Sequence, residues 1–113
     1  MINLRGKKCI PCEGGTKRLA REEFVVYLSQ VPDWSVVNDD LAIEKDFKFK
    51  NFKEALTFVN KVGEVAEAEG HHPDIYLHNW RKVKLTLATQ AIGGLSVNDF
   101  ILAAKVNQLV PPV

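Results

Sequence analysis

The sequence contains few of the residues from which proteins build metal or disulfide sites. It has two cysteines and three histidines among 113 residues. Both cysteines lie in one Cys9-x-x-Cys12 pair, which supplies half of a structural zinc site, because such a site takes four ligands. A proline and two glycines interrupt this segment, whereas a thioredoxin-like motif follows a strand and opens a helix. We interpret residues 1–17 as an irregular N-terminal arm, with metal binding or redox chemistry as the alternatives.

The sequence also lacks an excess of charge and a long apolar run. Fifteen Lys and Arg residues against fourteen Asp and Glu residues give a formal net charge of +1. No overall field therefore indicates a nucleic acid or an anionic membrane as the partner. No apolar run approaches the roughly 18 residues that cross a bilayer, and the first residues lack the apolar centre of a signal peptide. We expect a cytoplasmic protein that contacts neither nucleic acid nor membrane.

The length of the chain indicates one domain. A chain of this size buries roughly 65% of its unfolded surface, which is enough for a core. No low-complexity stretch or linker divides the sequence. We therefore expect residues 18–113 to form a single domain that follows the arm.

The spacing of apolar residues predicts seven elements of secondary structure. In chain order they are a helix over 21–30, strands over 34–37 and 41–50, a helix over 51–69, strands over 75–77 and 82–90, and a helix over 97–109. Asn51 can cap the long helix and Gly70 can end it. Ser96, with Asp99 three residues later, can cap the last helix.

This order, α-β-β-α-β-β-α, predicts an α+β fold. Two hairpins would form a four-stranded antiparallel sheet, with the three helices packed on one face and the other face open to a ligand or partner. The last helix carries a second apolar stripe at Leu102, Val106 and Leu109. Such a stripe predicts self-association.

Two of the three histidines are adjacent, in the sequence His71-His72-Pro73, and follow Glu67. Histidine exchanges its proton near neutral pH, so this cluster indicates proton transfer to or from a small substrate. Two other interpretations remain open, namely simple loop polarity and a metal pair with Asp74. Adjacent ligands without a further histidine make a poor zinc site, so we expect no metal.

Several residues can be given roles from their positions. His71 lies just past the negative end of the long helix and near Glu67, which suits a proton donor, and we predict it as the general acid. Pro73 holds His72 extended, so the two rings can diverge and His72 can bind the substrate or share the proton transfer. Trp34 is a candidate wall for a flat ligand or an ordinary core residue. The alternative for Glu67 is an ordinary solvated position on the long helix. Asp99 either contacts the site or caps the first amides of the last helix.

A longer pattern surrounds the histidine pair. It comprises Glu67-Ala-Glu-Gly-His71-His72-Pro73-Asp74, the aromatic residues Tyr76 and Trp80, Ala91-Ile-Gly-Gly-Leu-Ser96, and Asp99. In these motifs the chain resembles the pterin-4a-carbinolamine dehydratases, over about residues 18 to 110. The resemblance implies dehydration of 4a-hydroxytetrahydrobiopterin to quinonoid dihydrobiopterin, in tetrahydrobiopterin recycling, by a homo-oligomer (dimer or tetramer) that uses no metal or other cofactor.

The resemblance and the roles above give one set of candidate site residues. The catalytic candidates are His71, His72 and Glu67, and the substrate-binding candidates are Trp34, Pro73, Gln90 and Asp99. Gln90 departs from the family, whose usual members have a third active-site histidine there. A glutamine forms hydrogen bonds but exchanges no proton at neutral pH, so we expect reduced or stereochemically restricted dehydration.

Loss of a catalytic histidine also permits other functions. Relatives of this fold act as a dimerisation cofactor for a homeodomain transcription factor, and others look like assembly factors for Rubisco. A third alternative is a pterin-binding protein in which dehydration is incidental. Glu67, His71, His72 and Pro73 are all present, and a chain released from catalysis has no chemical reason to keep them together. We therefore favour the dehydratase.

Overall fold

The structure is a computed structural model that describes residues 4–7, 9 and 18–110. In chain order these residues form a 3-10 turn at Leu4–Gly6, α1 (Arg21–Leu28), β1 (Ser35–Val37), β2 (Ala42–Lys48), α2 (Phe52–Glu69), β3 (Asp74–His78), β4 (Lys82–Leu87), a 3-10 turn at Gln90–Ile92 and α3 (Val97–Asn107). The predicted order of helices and strands is confirmed. The division at residue 17 stays a prediction, since most of the arm lies outside the described residues.

The four strands form one antiparallel sheet in the order β1-β2-β4-β3. Phe47 of β2 lies opposite Val83 of β4, and Ile43 lies opposite Leu87. All four of these side chains are buried. Because side chains alternate along a strand, this pairing collects the apolar residues on the face that the helices cover. The predicted α+β architecture is confirmed.

The other face of the sheet is polar. Asp46, Lys84 and Tyr76 form one row across β2, β4 and β3. The side chain of Tyr76 is 60% exposed and stacks on His78, with 4.5 Å between the ring centroids. That a ligand or partner binds this face stays a prediction.

Helix α3 is the most enclosed element. It lies against α1, α2 and the Leu4–Gly6 turn. Leu102 and Val106, two members of the second apolar stripe, have no exposed surface. The chain itself therefore covers the stripe from which self-association was predicted, so this stripe does not support an oligomer. The oligomeric state stays a prediction.

Both ends of α2 and the start of α3 form where the sequence places them, whereas α1 ends at Leu28 and α3 at Asn107, two residues earlier than predicted. The Asn51 side chain accepts the backbone N–H of Glu54 at 2.8 Å and caps α2. Gly70 ends the same helix with a φ of 65°, in the left-handed region that suits glycine. Ser96 and Asp99 form the predicted capping box at the start of α3.

Strand β4 is shorter than predicted, because it ends at Leu87 and not at Gln90. The backbone of Thr89 turns away and pairs with Gly94, whose carbonyl accepts the Thr89 N–H at 2.8 Å. Gln90 then begins a 3-10 turn that closes at Gly93, with a φ of 66°. Hydrogen bonds within this turn therefore take the place of further pairing between strands. Gln90 lies exposed, outside the sheet.

Gly63, inside α2, and Gly70, at its C-terminal end, provide a matched test of how this helix ends. A Cβ added at Gly63 or Gly70 would meet no atom within 4 Å, so only backbone preference separates the two sites. We expect Gly63→Ala to stabilise the fold by roughly 0.5–1 kcal/mol, as in any helix interior. Gly70→Ala should destabilise it by about 1–2 kcal/mol, because its φ is positive. Urea unfolding with a constant m-value measures both, and equal signs would contradict the assignment.

Candidate functional site

His71 is bound to Asp99 in the interior. The Nε2 atom of His71 lies 2.6 Å from Oδ1 of Asp99, and the two side chains are 9% and 0% exposed. The second oxygen, Oδ2, accepts the Thr89 hydroxyl at 2.8 Å and the Ser96 backbone N–H at 2.9 Å. Both carboxylate oxygens are thus bound, as a buried charge requires.

The end of α2 directs His71 towards α3. After the left-handed turn at Gly70, the His71 N–H donates to the carbonyl of Ala66 at 3.2 Å. The imidazole is thereby set against the N-terminus of α3, where a carboxylate is favoured by the helix dipole. Asp99 completes the predicted helix cap and also contacts His71, while its role in substrate binding stays a prediction.

Thr89 is a member of this network that the sequence interpretation left out. Its hydroxyl donates to Asp99 and lies 2.7 Å from the Ser96 hydroxyl, and the residue is 2% exposed. A signal was present, because Thr89 continues the buried apolar row of Val83, Leu85 and Leu87. A hydroxyl on a buried face requires a hydrogen-bond partner, which points to a polar cluster.

His72 and Glu67 form a second pair, at the surface. His72 Nε2 lies 2.6 Å from Glu67 Oε1, with the side chains 61% and 79% exposed. The prediction that Glu67 acts on His71 is wrong for this structure, because the turn at Gly70 sends His71 inward and leaves His72 on the side of Glu67. Each histidine therefore has its own carboxylate.

The remaining candidates differ in how close they lie to these pairs. Pro73 joins His72 to the start of β3, and Gln90 follows Thr89 directly. Trp34 is 2% exposed, and its indole N–H donates to Asn107 at 3.0 Å. Asn107 lies eight residues beyond Asp99 on α3, about 12 Å along the helix. The structure thus places Trp34 in the core, away from the histidines, and its role as a wall for a ligand stays a prediction.

The described residues offer no group of three or more His, Cys, Asp and Glu side chains that could hold a metal ion. Cys9 is buried, and Cys12 lies outside the described residues. Burial raises the pKa of the Cys9 thiol to about 12. A neutral thiol is a poor nucleophile and a poor metal ligand, so this cysteine has the character of a structural residue. Among the described residues, no helix has both the length and the apolarity needed to cross a membrane.

The arrangement can carry out acid–base chemistry at two positions. Adjacent residues present two imidazoles, each bound through Nε2 to a carboxylate. A carboxylate on one ring nitrogen fixes the orientation of the ring and leaves Nδ1 to exchange a proton with a ligand. One pair is held in the interior and the other is solvated.

Comparison with known proteins gives a consistent result. The sequence profile described as "Pterin 4 alpha carbinolamine dehydratase" matches residues 17–109. A protein of Alkaliphilus metalliredigens, named "Putative pterin-4-alpha-carbinolamine dehydratase", is 54% identical over 109 residues, which is 96% of each chain. The crystal structure of a "transcriptional coactivator/pterin dehydratase from Brucella Melitensis" has a TM-score of 0.76 at 32% identity, covering 82% of this chain and 98% of that one.

A second solved structure shares the fold. It is a "pterin dehydratase-like protein" identified as "a RuBisCO assembly factor in the alpha-carboxysome", with a TM-score of 0.59 and 23% identity, covering 68% of this chain and 88% of that one. At this identity the likeness concerns the fold alone. The profile match spans residues 17–109, which include both histidine pairs, and the first two relatives cover 96% and 82% of the chain. The chain therefore belongs to the pterin-4-alpha-carbinolamine dehydratase family.

Proposed function

We propose that this protein dehydrates a pterin-4a-carbinolamine, such as 4a-hydroxytetrahydrobiopterin, to the quinonoid dihydropterin. One observation carries the proposal: His71 and His72 are consecutive, and each is bound to its own carboxylate at 2.6 Å. The family membership of the chain supports the choice of substrate. The reaction needs two proton transfers, and the site offers two imidazoles.

The reaction removes water from C4a of the pterin ring. The C4a–O bond breaks as the hydroxyl takes a proton, and a ring nitrogen loses a proton as the new C=N bond forms, so that water leaves and no electrons are exchanged. We assign His71 as the general acid that protonates the hydroxyl from Nδ1. His72 receives the nitrogen proton at its own Nδ1. Each carboxylate keeps its Nε2 occupied, so the working nitrogen is the same in both rings.

The difference in burial suits these two roles. His71 is held by a carboxylate with no exposed surface, so its ring keeps one orientation. His72 and Glu67 are solvated, and an exposed pair of this kind holds its geometry only weakly. The buried ring can hold the departing hydroxyl in place, while the exposed ring passes its proton to water.

Gln90 and Pro73 complete the proposed site as substrate-binding residues. Gln90 can donate and accept hydrogen bonds along the polar edge of a pterin, but it transfers no proton. If a histidine at this position serves one of the two faces of C4a, the present chain works on the other face only. Dehydration is then restricted to one 4a stereoisomer or slowed for both.

Replacing His71 tests the mechanism. General acid catalysis contributes about 10²- to 10⁴-fold, so we expect His71→Ala to lower kcat by at least about 10²-fold in a stopped-flow assay of carbinolamine dehydration. His78→Ala is the matched control, because this histidine lies at the end of β3 farther from His72 and outside the proposed site, so kcat should stay unchanged. A fall in kcat would instead indicate that the substrate reaches the polar face of the sheet. Equal turnover by His71→Ala and the wild type would refute the assigned mechanism.

Ligand binding separates catalysis from the other functions of the fold. We expect a stable dihydropterin to bind the wild-type protein and His71→Gln, because the glutamine keeps a hydrogen-bond donor for Asp99 and removes only the group that exchanges a proton. Fluorescence titration measures both affinities. Binding without turnover by the wild type would favour a pterin-binding protein, and no binding would favour a protein-binding relative.

Gln90→His tests the stereochemical restriction. We expect this change to raise turnover of the slower 4a stereoisomer by about tenfold or more, because it adds a group that can exchange a proton. The two stereoisomers are assayed separately, and Gln108→His, on the exposed end of α3, controls for an added histidine. Wild-type turnover of both stereoisomers at equal rates, unaffected by Gln90→His, would contradict the proposed restriction.

A further inference from the structure

We propose that the N-terminal strap, defined as residues 4–7 and Cys9, is a positioning element for the His71–Asp99 pair. Cys9 and Glu69 are its positioning residues. The proposal concerns the geometry of the pair itself, and only its kinetic test rests on the proposed function. It gives a role to the cysteine of the arm that the proposed reaction does not use.

Cys9 bridges the two elements that supply the pair. Its backbone N–H donates to Oε1 of Glu69 at 2.8 Å, and its Sγ donates to the backbone carbonyl of Asn98 at 3.6 Å. Glu69 is the last residue of α2, two residues before His71. Asn98 directly precedes Asp99 in α3. Cys9 thus connects Glu69, close to His71, with Asn98, next to Asp99. The two hydrogen bonds span 60 and 89 positions of the sequence.

A second contact anchors the strap to α3. The Lys105 ammonium donates to the backbone carbonyl of Arg5 at 3.1 Å and lies 3.5 Å from Oε2 of Glu69. The Glu69 side chain is only 10% exposed, so one oxygen binds the strap and the other faces α3. Leu4, 1% exposed, is part of the hydrophobic core and holds the start of the strap in place.

The protonation states fit a structural connection. Burial would raise the pKa of the Glu69 carboxyl, but the Cys9 N–H and the Lys105 ammonium hold it below its usual value. Burial, followed by the charge of Glu69, raises the pKa of Cys9 to about 12. The thiol therefore stays protonated and can donate its S–H, whereas a redox or nucleophilic cysteine needs the thiolate.

The local backbone explains why the pair needs such support. The Gly70 turn and the His71 N–H bond to Ala66 tie His71 closely to the end of α2. A shift of the end of α2 relative to α3 therefore moves the imidazole relative to Asp99. The strap fixes Glu69 relative to Asn98, and so sets where His71 emerges relative to Asp99. A displacement of about 1 Å in a reacting group can cost about 10²-fold in rate.

Two truncations test the proposal, and both keep His71 and Asp99 intact. We expect Glu69→Ala and Cys9→Ala to lower kcat by about tenfold with KM within about twofold, because substrate contacts remain while the orientation of the acid is lost. Cys9→Ser restores the donor to Asn98 and should return kcat towards the wild-type value. Glu64→Ala, an exposed carboxylate on the same helix, is the matched control.

A spectroscopic measurement tests the geometry without any turnover. We expect the His71 ring N–H that is bonded to Asp99 to give a protected proton signal in ¹⁵N-edited NMR spectra of the wild type. This signal should broaden by exchange with water in Glu69→Ala and Cys9→Ala and persist in Glu64→Ala. It should also persist in Asn51→Ala, which destabilises α2 at its opposite end.

The outcomes separate this proposal from the proposed function. An unaltered His71 signal and an unaltered kcat in both truncations would overturn the positioning role, whatever reaction the protein catalyses. Loss of the signal in a protein without dehydratase activity would support the strap and refute the reaction. If Glu69→Ala fails to fold, the comparison of Cys9→Ala with Cys9→Ser decides, since a positioning role requires rescue by the serine.

Discussion

The buried carboxylate of Asp99 is the group on which the site depends. A charge without solvent contact is costly unless each oxygen is bound, and here the Ser96 N–H, the Thr89 hydroxyl and His71 share the two oxygens. One side chain thereby caps α3, fixes the end of the loop after β4 and orients an imidazole. Removing any of these partners leaves part of a buried charge unsatisfied, so the three segments are coupled through a single residue.

The fold brings these segments together through its central strands. β2 and β4 pair along six residues each, and their buried side chains form the surface on which α2 and α3 pack. The end of α2 and the loop after β4 then meet at the first turn of α3. The consequence is an inner imidazole held by the core and an outer imidazole held only by Glu67 in solvent. Two groups of the same chemical type thus acquire different surroundings from adjacent positions.

Local patterns in the sequence predict much of this architecture. The apolar period of α2, its Asn51 cap and its Gly70 end are short-range properties, and the structure reproduces them. The same holds for the Ser96 and Asp99 cap of α3. The end of β4 was misplaced because Thr89 continues the strand pattern, while its actual partner is the Gly94 backbone across a turn. The alternation of apolar and polar residues along β4 does not show that Thr89 pairs with Gly94 across a turn.

The sequence by itself determined the element order, the two ends of α2, the start of α3 and the presence of two histidines beside acidic residues, because these follow from local period and residue chemistry. Only the tertiary structure decided which carboxylate each histidine contacts. The left-handed turn at Gly70 changes the direction of the chain, so that His71 reaches Asp99 and His72 reaches Glu67. It also decided that Trp34 belongs to the core, and that Cys9 of the arm connects Glu69 to Asn98. These contacts join residues that are far apart in the sequence. Their strength depends on burial, which the type of a residue does not specify by itself.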